Sequence, residues 1–231
     1  MLIACVQESK LGVKSRLPAF PNYSVVRCDC VGGAGGLLTL VHHSLNYAQL
    51  DSPINDGVIE CILIETSISN SKIRIANIYI PPASSAHIPQ GHRVDLKPLL
   101  VEDTIILGDI NGHNDEWSCG AADPRGDIIA GHVDERNFSV LNNPDIATRP
   151  SSDSSPDVAF VPSPWALNFD WQVSTTLNSD HLPLLLCLAD ESPPTCGGRL
   201  FVNFRKADWD KFKSVSEALF ANLPPSRHFL S

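Results

Sequence analysis

The chain has 231 residues, 43% of them apolar and 19% charged, with a formal net charge of −9 at pH 7. This apolar content supports one large core, or a core plus a tail, and excludes wholesale disorder. The acid excess excludes the global basic footprint of a typical nucleic-acid binder. Two readings stay open: acid gathered in a metal site with basic residues local to a groove, or a partner other than nucleic acid.

The 7 cysteines have no regular spacing. No Cys-x-x-Cys pair has a matching second pair, so a structural zinc is not expected, and a reducing compartment fits. Residues 1–6 are too short and lack the basic lead of a secretory signal. No apolar stretch reaches transmembrane length. The expected location is intracellular, with no membrane partner.

In chain order, residues 2–6 read as a buried strand that ends at Gln7-Glu8, and residues 23–28 as a second strand. Gly32-Gly-Ala-Gly-Gly36 makes a turn before a strand at 37–41. It lacks the Lys-Ser/Thr of a P-loop, so a hairpin turn is the expectation there. Runs at 58–65 and 72–80, joined by a polar Ser/Asn/Lys segment, predict a hairpin that Pro81-Pro82 stops. Residues 93–100 predict a short helix, and 104–107 a central strand. Ile128, Ile129 and Val133 place an amphipathic helix over 127–137. Strands follow at 138–141, 158–161, 171–175 and 182–188, with a Ser/Asp/Pro loop at 150–156. Many strands with few helices predict two packed sheets flanked by helices. Composition shifts after Ala189 to a Pro/Gly linker. Trp209, Phe212, Val215 and Leu219 then predict a separate amphipathic helix over 207–223. The domain division is therefore 1–189 and 190–231.

Thr104-Ile-Ile-Leu-Gly-Asp-Ile-Asn111 carries the strongest chemical signal. Residues two apart on a strand share a face, so Asp109 and Asn111 project together from the end of a buried strand. Such a pair can hold a hard cation or a phosphate oxygen, or it can be an Asx-turn. Glu8, at the end of the first strand, is costly there unless paired or bound to metal; alone it reads as a strand emerging into solvent. Asp180-His181 offers a carboxylate and an imidazole at another strand mouth, suited to phosphate chemistry or simply to a capped turn. Asp157, between Pro156 and Val158, is either a turn acid or an acid that orients His181 and favours its charged form. Tyr79 reads first as a core tyrosine with its hydroxyl at the edge. His113, Asn114 and Trp117 either line a groove and touch a substrate or pack the loop. His42 and His43 point to opposite strand faces, which disfavours joint ligation.

Val6-Gln-Glu-Ser9, Asn77-Ile-Tyr-Ile-Pro81, Leu107-Gly-Asp-Ile-Asn-Gly-His113, Ser155-Pro-Asp-Val158 and Ser179-Asp-His-Leu-Pro183 run in the order seen in the endonuclease/exonuclease/phosphatase superfamily. Over most of its length the chain resembles the apurinic-endonuclease-like domain of non-LTR (LINE-type) retrotransposons. The tail from Val202 to Phe212 resembles the link to a reverse transcriptase domain.

The resemblance implies an α/β, DNase I-like, four-layer sandwich of two packed mixed sheets flanked by helices. It implies a Mg²⁺-dependent nickase, Mn²⁺ serving also, that acts on DNA in the nucleus beside a reverse transcriptase. On it, Glu8 binds metal and Asp180 is a further acid at the site. Asp109 orients or deprotonates water, and Asn111 helps place that water and the phosphate. Tyr79 contacts the phosphate, and His181, held by Asp157, stabilises transition-state charge. Family members begin with a further strand that carries an active-site Asn, and the expectation from residue 1 onward is that this first strand is missing. Two other readings follow: a decayed, inactive fragment of such a domain, or a small-molecule or lipid phosphodiesterase or phosphatase of the same superfamily.

Overall fold

The computed structural model describes residues 1–30, 35–68, 71–86, 88–118, 120, 122–175, 179–189 and 211. The chain divides into two compact units, Met1–Ala189 and Asp190–Ser231. The helix expected over 207–223 lies, apart from residue 211, outside the described residues.

The first unit is built on a six-stranded sheet. Its strands are β4 (Tyr47–Leu50), β5 (Glu60–Ile68), β6 (Ser71–Tyr79), β7 (Thr104–Asp109), β8 (Phe138–Val140) and β9 (Asp157–Pro162). They lie in the order β4-β5-β6-β7-β9-β8. The β6–β7 pair is parallel and the others are antiparallel, so this sheet is mixed. Two smaller sheets are antiparallel throughout: β1 (Ile3–Val6), β3 (Leu37–His42) and β2 (Tyr23–Cys28) in the order β1-β3-β2, and the pair β10 (Phe169–Val173) with β11 (Leu184–Leu188).

The apolar runs of β5, β6, β7 and β9 feed two cores by period-2 alternation. Ile62, Ile64, Ile75, Ile105, Ala159 and Val161 face the side of the smaller sheets, where Val26, Leu37 and Val41 meet them and Trp171 and Leu186 pack on. Leu63, Ala76, Ile78, Ile106 and Phe160 face the opposite side, against Leu96, Leu99, Ile129 and Val133. Gly108 leaves no room for a side chain against β6: a Cβ there would lie 1.9 Å from the Ile78 carbonyl oxygen.

Helix α1 (Pro124–Glu135) covers the second core. The Asp123 carboxylate caps it by accepting the Gly126 N–H at 2.7 Å, and Pro124 occupies the first turn. The helix therefore starts earlier than its apolar spacing predicts. The helix expected at 93–100 does not form. Pro98 has no N–H to give and biases Lys97 away from helical backbone. The segment closes one turn instead, with Leu99 N–H and Leu100 N–H reaching Leu96 O. Strand β4 was not expected. Residues 150–156 contain a 3-10 turn, Pro150–Ser152, and a second one, Ser163–Asn168, precedes β10.

Candidate active site

Strand register builds the site. Glu60 on β5 pairs with Tyr79 on β6, Tyr79 with Asp109 on β7, and Asp109 with Asp157 on β9. Paired residues share a face, so four titratable groups form one row across the end of the sheet. The row faces the smaller sheets, as Ile62, Leu107 and Ala159 do two residues back along their strands. Two carboxylates directly opposite each other repel, and Asp109 is 5% exposed. Burial first, then the Asp157 charge, pushes the Asp109 carboxyl up to about 7; Glu8 adds to that rise and His181 opposes it.

Asp157 is the hub of the hydrogen bonds. Its Oδ2 accepts from Thr148 Oγ1 at 2.7 Å and from His181 Nδ1 at 2.9 Å. The bond to Asp157 raises His181 above the usual histidine value, against the effect of burial. Ligand atoms of Asp109, Asp157 and His181 all lie within 4.8 Å of one another. The two hard carboxylate donors suit a divalent cation, and the imidazole, held on Asp157, stands beside them.

Glu8 reaches the row from the other layer. The Tyr79 hydroxyl donates to Glu8 Oε1 at 2.7 Å, and Lys10 pairs with Oε2 at 3.3 Å. Burial, then Glu8, raises the Tyr79 hydroxyl, so this phenol keeps its proton. Asn77 joins the layers beneath: it accepts from Gln7 Nε2 at 2.7 Å and donates to the Leu38 carbonyl at 2.9 Å.

The loop after β7 is an Asx-turn. The Asn111 N–H donates to Asp109 Oδ1 at 3.0 Å, and Asn111 Nδ2 donates to the Ile80 carbonyl at 3.1 Å. Arg125 Nη1, from α1, donates to the carbonyls of Pro81, Ile110 and Asn111 at 2.7, 3.1 and 2.9 Å. One guanidinium thus ties together the exits of β6 and β7.

The structure brings together Asp109, Asp157 and His181, with Tyr79, Glu8 and Asn111 adjoining. Asp180 stands apart at the rim. Its Oδ2 accepts from Arg149 Nε at 3.0 Å and Nη2 at 2.8 Å, and that bond holds its carboxyl below the usual range. Two of the groups considered for a substrate groove are packing residues instead. Trp117 is 0% exposed, stacks edge-on against Phe160 and donates to the Gly112 carbonyl. Asn114 is buried and bonded to Asp127. The Asn114 Oδ1 also accepts the Glu116 N–H at 3.1 Å, so both ends of that amide are engaged. His113 is half-buried, and its N–H donates to Asp123. Sequence reading passed over Glu60, Thr148, Arg149 and Arg125. Of these Glu60 carried a signal: like Glu8, it is an acid at one end of an apolar run.

Residues 73–185 match the model of a family described as endonuclease-reverse transcriptase. Among solved structures, the chain is similar to the endonuclease domain of TRAS1, a telomere-specific non-LTR retrotransposon. That match has 22% identity and a TM-score of 0.62, and covers 81% of this chain and 85% of that one. A 3′ phosphatase from Neisseria, bound to a product DNA hairpin, matches at 13% identity and TM-score 0.48, over 81% of this chain and 88% of that one. TDP2 from D. rerio, with a single-strand DNA product, matches at 11% identity and TM-score 0.41, over 79% and 83%. No curated protein matches the chain.

Proposed function

We propose, for a chain whose residues 73–185 match the endonuclease-reverse transcriptase family, that it hydrolyses DNA phosphodiester bonds with a divalent cation. The observation that carries this reading is the Asp109–Asp157–His181 cluster, with Asp157 holding His181 by its Nδ1. In it Asp109 positions the attacking water and accepts its proton, and the Asn111 amide places that water beside the phosphate. A group raised to about 7 is suited to taking a proton near neutral pH. His181, kept charged by Asp157, faces negative charge that develops on the phosphoryl oxygens. The Tyr79 hydroxyl donates to a phosphate oxygen or to Glu8.

Buried, mutually repelling acids are the groups a bound cation relieves, and Glu8 adds a carboxylate from the second layer. Mg²⁺, or Mn²⁺, would supply positive charge at the scissile phosphate and leaving oxygen. Asp180, paired with Arg149 at the rim, is the weakest candidate ligand. DNA is the substrate in this reading, and a reverse transcriptase domain in the intact element is the partner. Nuclear residence belongs to the same proposal.

The test is nicking of supercoiled plasmid. Cutting with Mg²⁺ that is lost with EDTA and in Asp109→Ala is the expected result. A well-folded protein that cuts nothing in Mg²⁺ or Mn²⁺ ends the activity claim and leaves the inactive-fragment reading. The net charge of −9 favours a second reading, a small-molecule or lipid phosphodiesterase or phosphatase. Turnover of inositol phosphates or sphingomyelin in place of plasmid would identify it.

A further inference from the structure

Glu60 is the fourth member of the register row, yet it lies outside the Asp109–Asp157–His181 cluster. Its Oε2 accepts the Gly36 N–H at 2.6 Å, a short charge-assisted bond. Gly36 passes the constraint on. Its carbonyl accepts the Ser9 N–H at 2.9 Å, and the neighbouring Gly35 carbonyl accepts the Lys10 N–H at 2.9 Å. These are the two residues that follow Glu8. A continuous path therefore runs from a carboxylate on β5, through the segment before β3, to the turn that carries Glu8.

That turn needs holding. Glu8 has φ +49° and Lys10 φ +54°, in the left-handed region that side-chain-bearing residues disfavour and that persists only when its surroundings impose it. Gly36 makes the contact possible: at φ +87°, an added Cβ would lie 2.6 Å from Ser9 Oγ. Its lack of a side chain lets the strap lie flat on the Glu8 turn.

We propose that Glu60 is a positioning residue that fixes the Glu8 carboxylate for its cation through the Gly36–Ser9 strap. This rests on the reading of Glu8 as a cation ligand. Glu60 itself need not touch the ion. It sets where a ligand from the other layer stands relative to Asp109 and Asp157.

The test compares Glu60→Ala with Glu60→Gln, since Gln keeps an acceptor oxygen in the same place. Three readouts are taken on the full chain: Mn²⁺ binding by calorimetry, amide hydrogen exchange at Ser9 and Lys10, and the Mg²⁺ concentration for half-maximal nicking. Glu60→Ala is expected to weaken Mn²⁺ binding about tenfold or more, as loss of a partner behind a metal ligand does. Exchange at Ser9 and Lys10 should speed up. The nicking rate should recover at saturating Mg²⁺, a split that a general loss of folding would not give. Glu60→Gln should stay within about twofold of wild type, because its amide oxygen still accepts the Gly36 N–H and keeps the strap in place.

Unchanged exchange and Mn²⁺ affinity in Glu60→Ala overturn the proposal. So does a Glu60→Gln variant as weak as Glu60→Ala, which would make Glu60 a direct ligand. Wild-type protein that binds no Mn²⁺ overturns it together with the cation reading. Wild-type protein that binds Mn²⁺ but cuts no DNA overturns the nuclease reading alone.

Discussion

Strands β6, β7 and β9 bury most of their residues, whereas β10 and β11 leave every residue at least partly exposed. Both regions serve the same site. The first supplies Tyr79, Asp109 and Asp157 from strand ends whose positions are set by ladder register. The second supplies His181 from the stretch between β10 and β11, and contacts to one short segment hold it there. The Leu182 N–H donates to the Thr148 carbonyl at 2.7 Å, Thr148 Oγ1 bonds Asp157, and Arg149 bonds Asp180. Thr148 and Arg149 thus dock the imidazole from two successive residues. The acids are held by packing that cannot yield without unfolding, and the imidazole by polar contacts near water. Damage to the first region should therefore appear as lost stability, and damage to the second as a disturbed site on an intact fold.

The largest effect expected is that of Trp117→Ala. The indole is 0% exposed, lies 5.8 Å from the Phe160 ring and satisfies the Gly112 carbonyl. Its removal leaves a cavity beneath the Asp109–Asn111 loop and should cost about 3–5 kcal/mol in chemical denaturation. Trp171→Ala on β10, where the indole is half-buried, should cost distinctly less. Equal losses at the two tryptophans would break the comparison.

A second test uses pH without metal. The Asp109 carboxyl is raised to about 7 by burial and by Asp157, and His181 is raised by its bond to Asp157. A group raised in the folded state gives stability that is fully present below its unfolded value and lost as pH rises through its folded value. Both groups act in the same direction. The EDTA-treated protein should therefore melt at a lower temperature at about pH 8 than at about pH 5, with Asp109 accounting for on the order of 3 kcal/mol. Asp56, Glu65 and Asp180 are lowered instead; what they contribute is lost only in stronger acid, outside this window. Divalent cation should restore the loss. Asp109→Asn should raise the metal-free melting temperature at the higher pH and flatten most of the slope. A flat profile in the wild type would mean the row is wetter than its burial indicates.

The buried sheet is also what the sequence made legible. Unbroken apolar runs such as Thr104-Ile-Ile-Leu107 become β7 because only a strand covered on both faces tolerates them. Tyr47–Leu50 gave no such signal: its middle residues face solvent at the sheet edge, so its pairing with β5 comes from context alone. The expectation at 93–100 followed apolar spacing and gave too little weight to Pro98. Motif order was enough to single out Asp109, Asp157 and His181, which the fold gathers, but it could not separate Asp180, since Arg149 is far from it in sequence. Glu60 shows the limit most clearly. Its place beside Tyr79 is a fact of β5–β6 register, and no spacing along a single strand encodes which residue of its neighbour stands opposite.

The smallest effect expected lies at the rim, and it probes the second region most directly. The Arg149 and Asp180 side chains are 40% and 56% exposed, so water and salt screen their attraction. Such pairs couple by about 0.2–1 kcal/mol in double-mutant cycles. Arg149→Ala, Asp180→Ala and the double variant should show a coupling in that range, fading as ionic strength rises. The fold should stay intact in all three. Nicking should respond more than stability does, because Arg149 follows Thr148, and Thr148 holds both Asp157 and the backbone of Leu182. A coupling well above 1 kcal/mol, insensitive to salt, would place this contact among the buried anchors. The imidazole would then be fixed as deeply as the acids it faces.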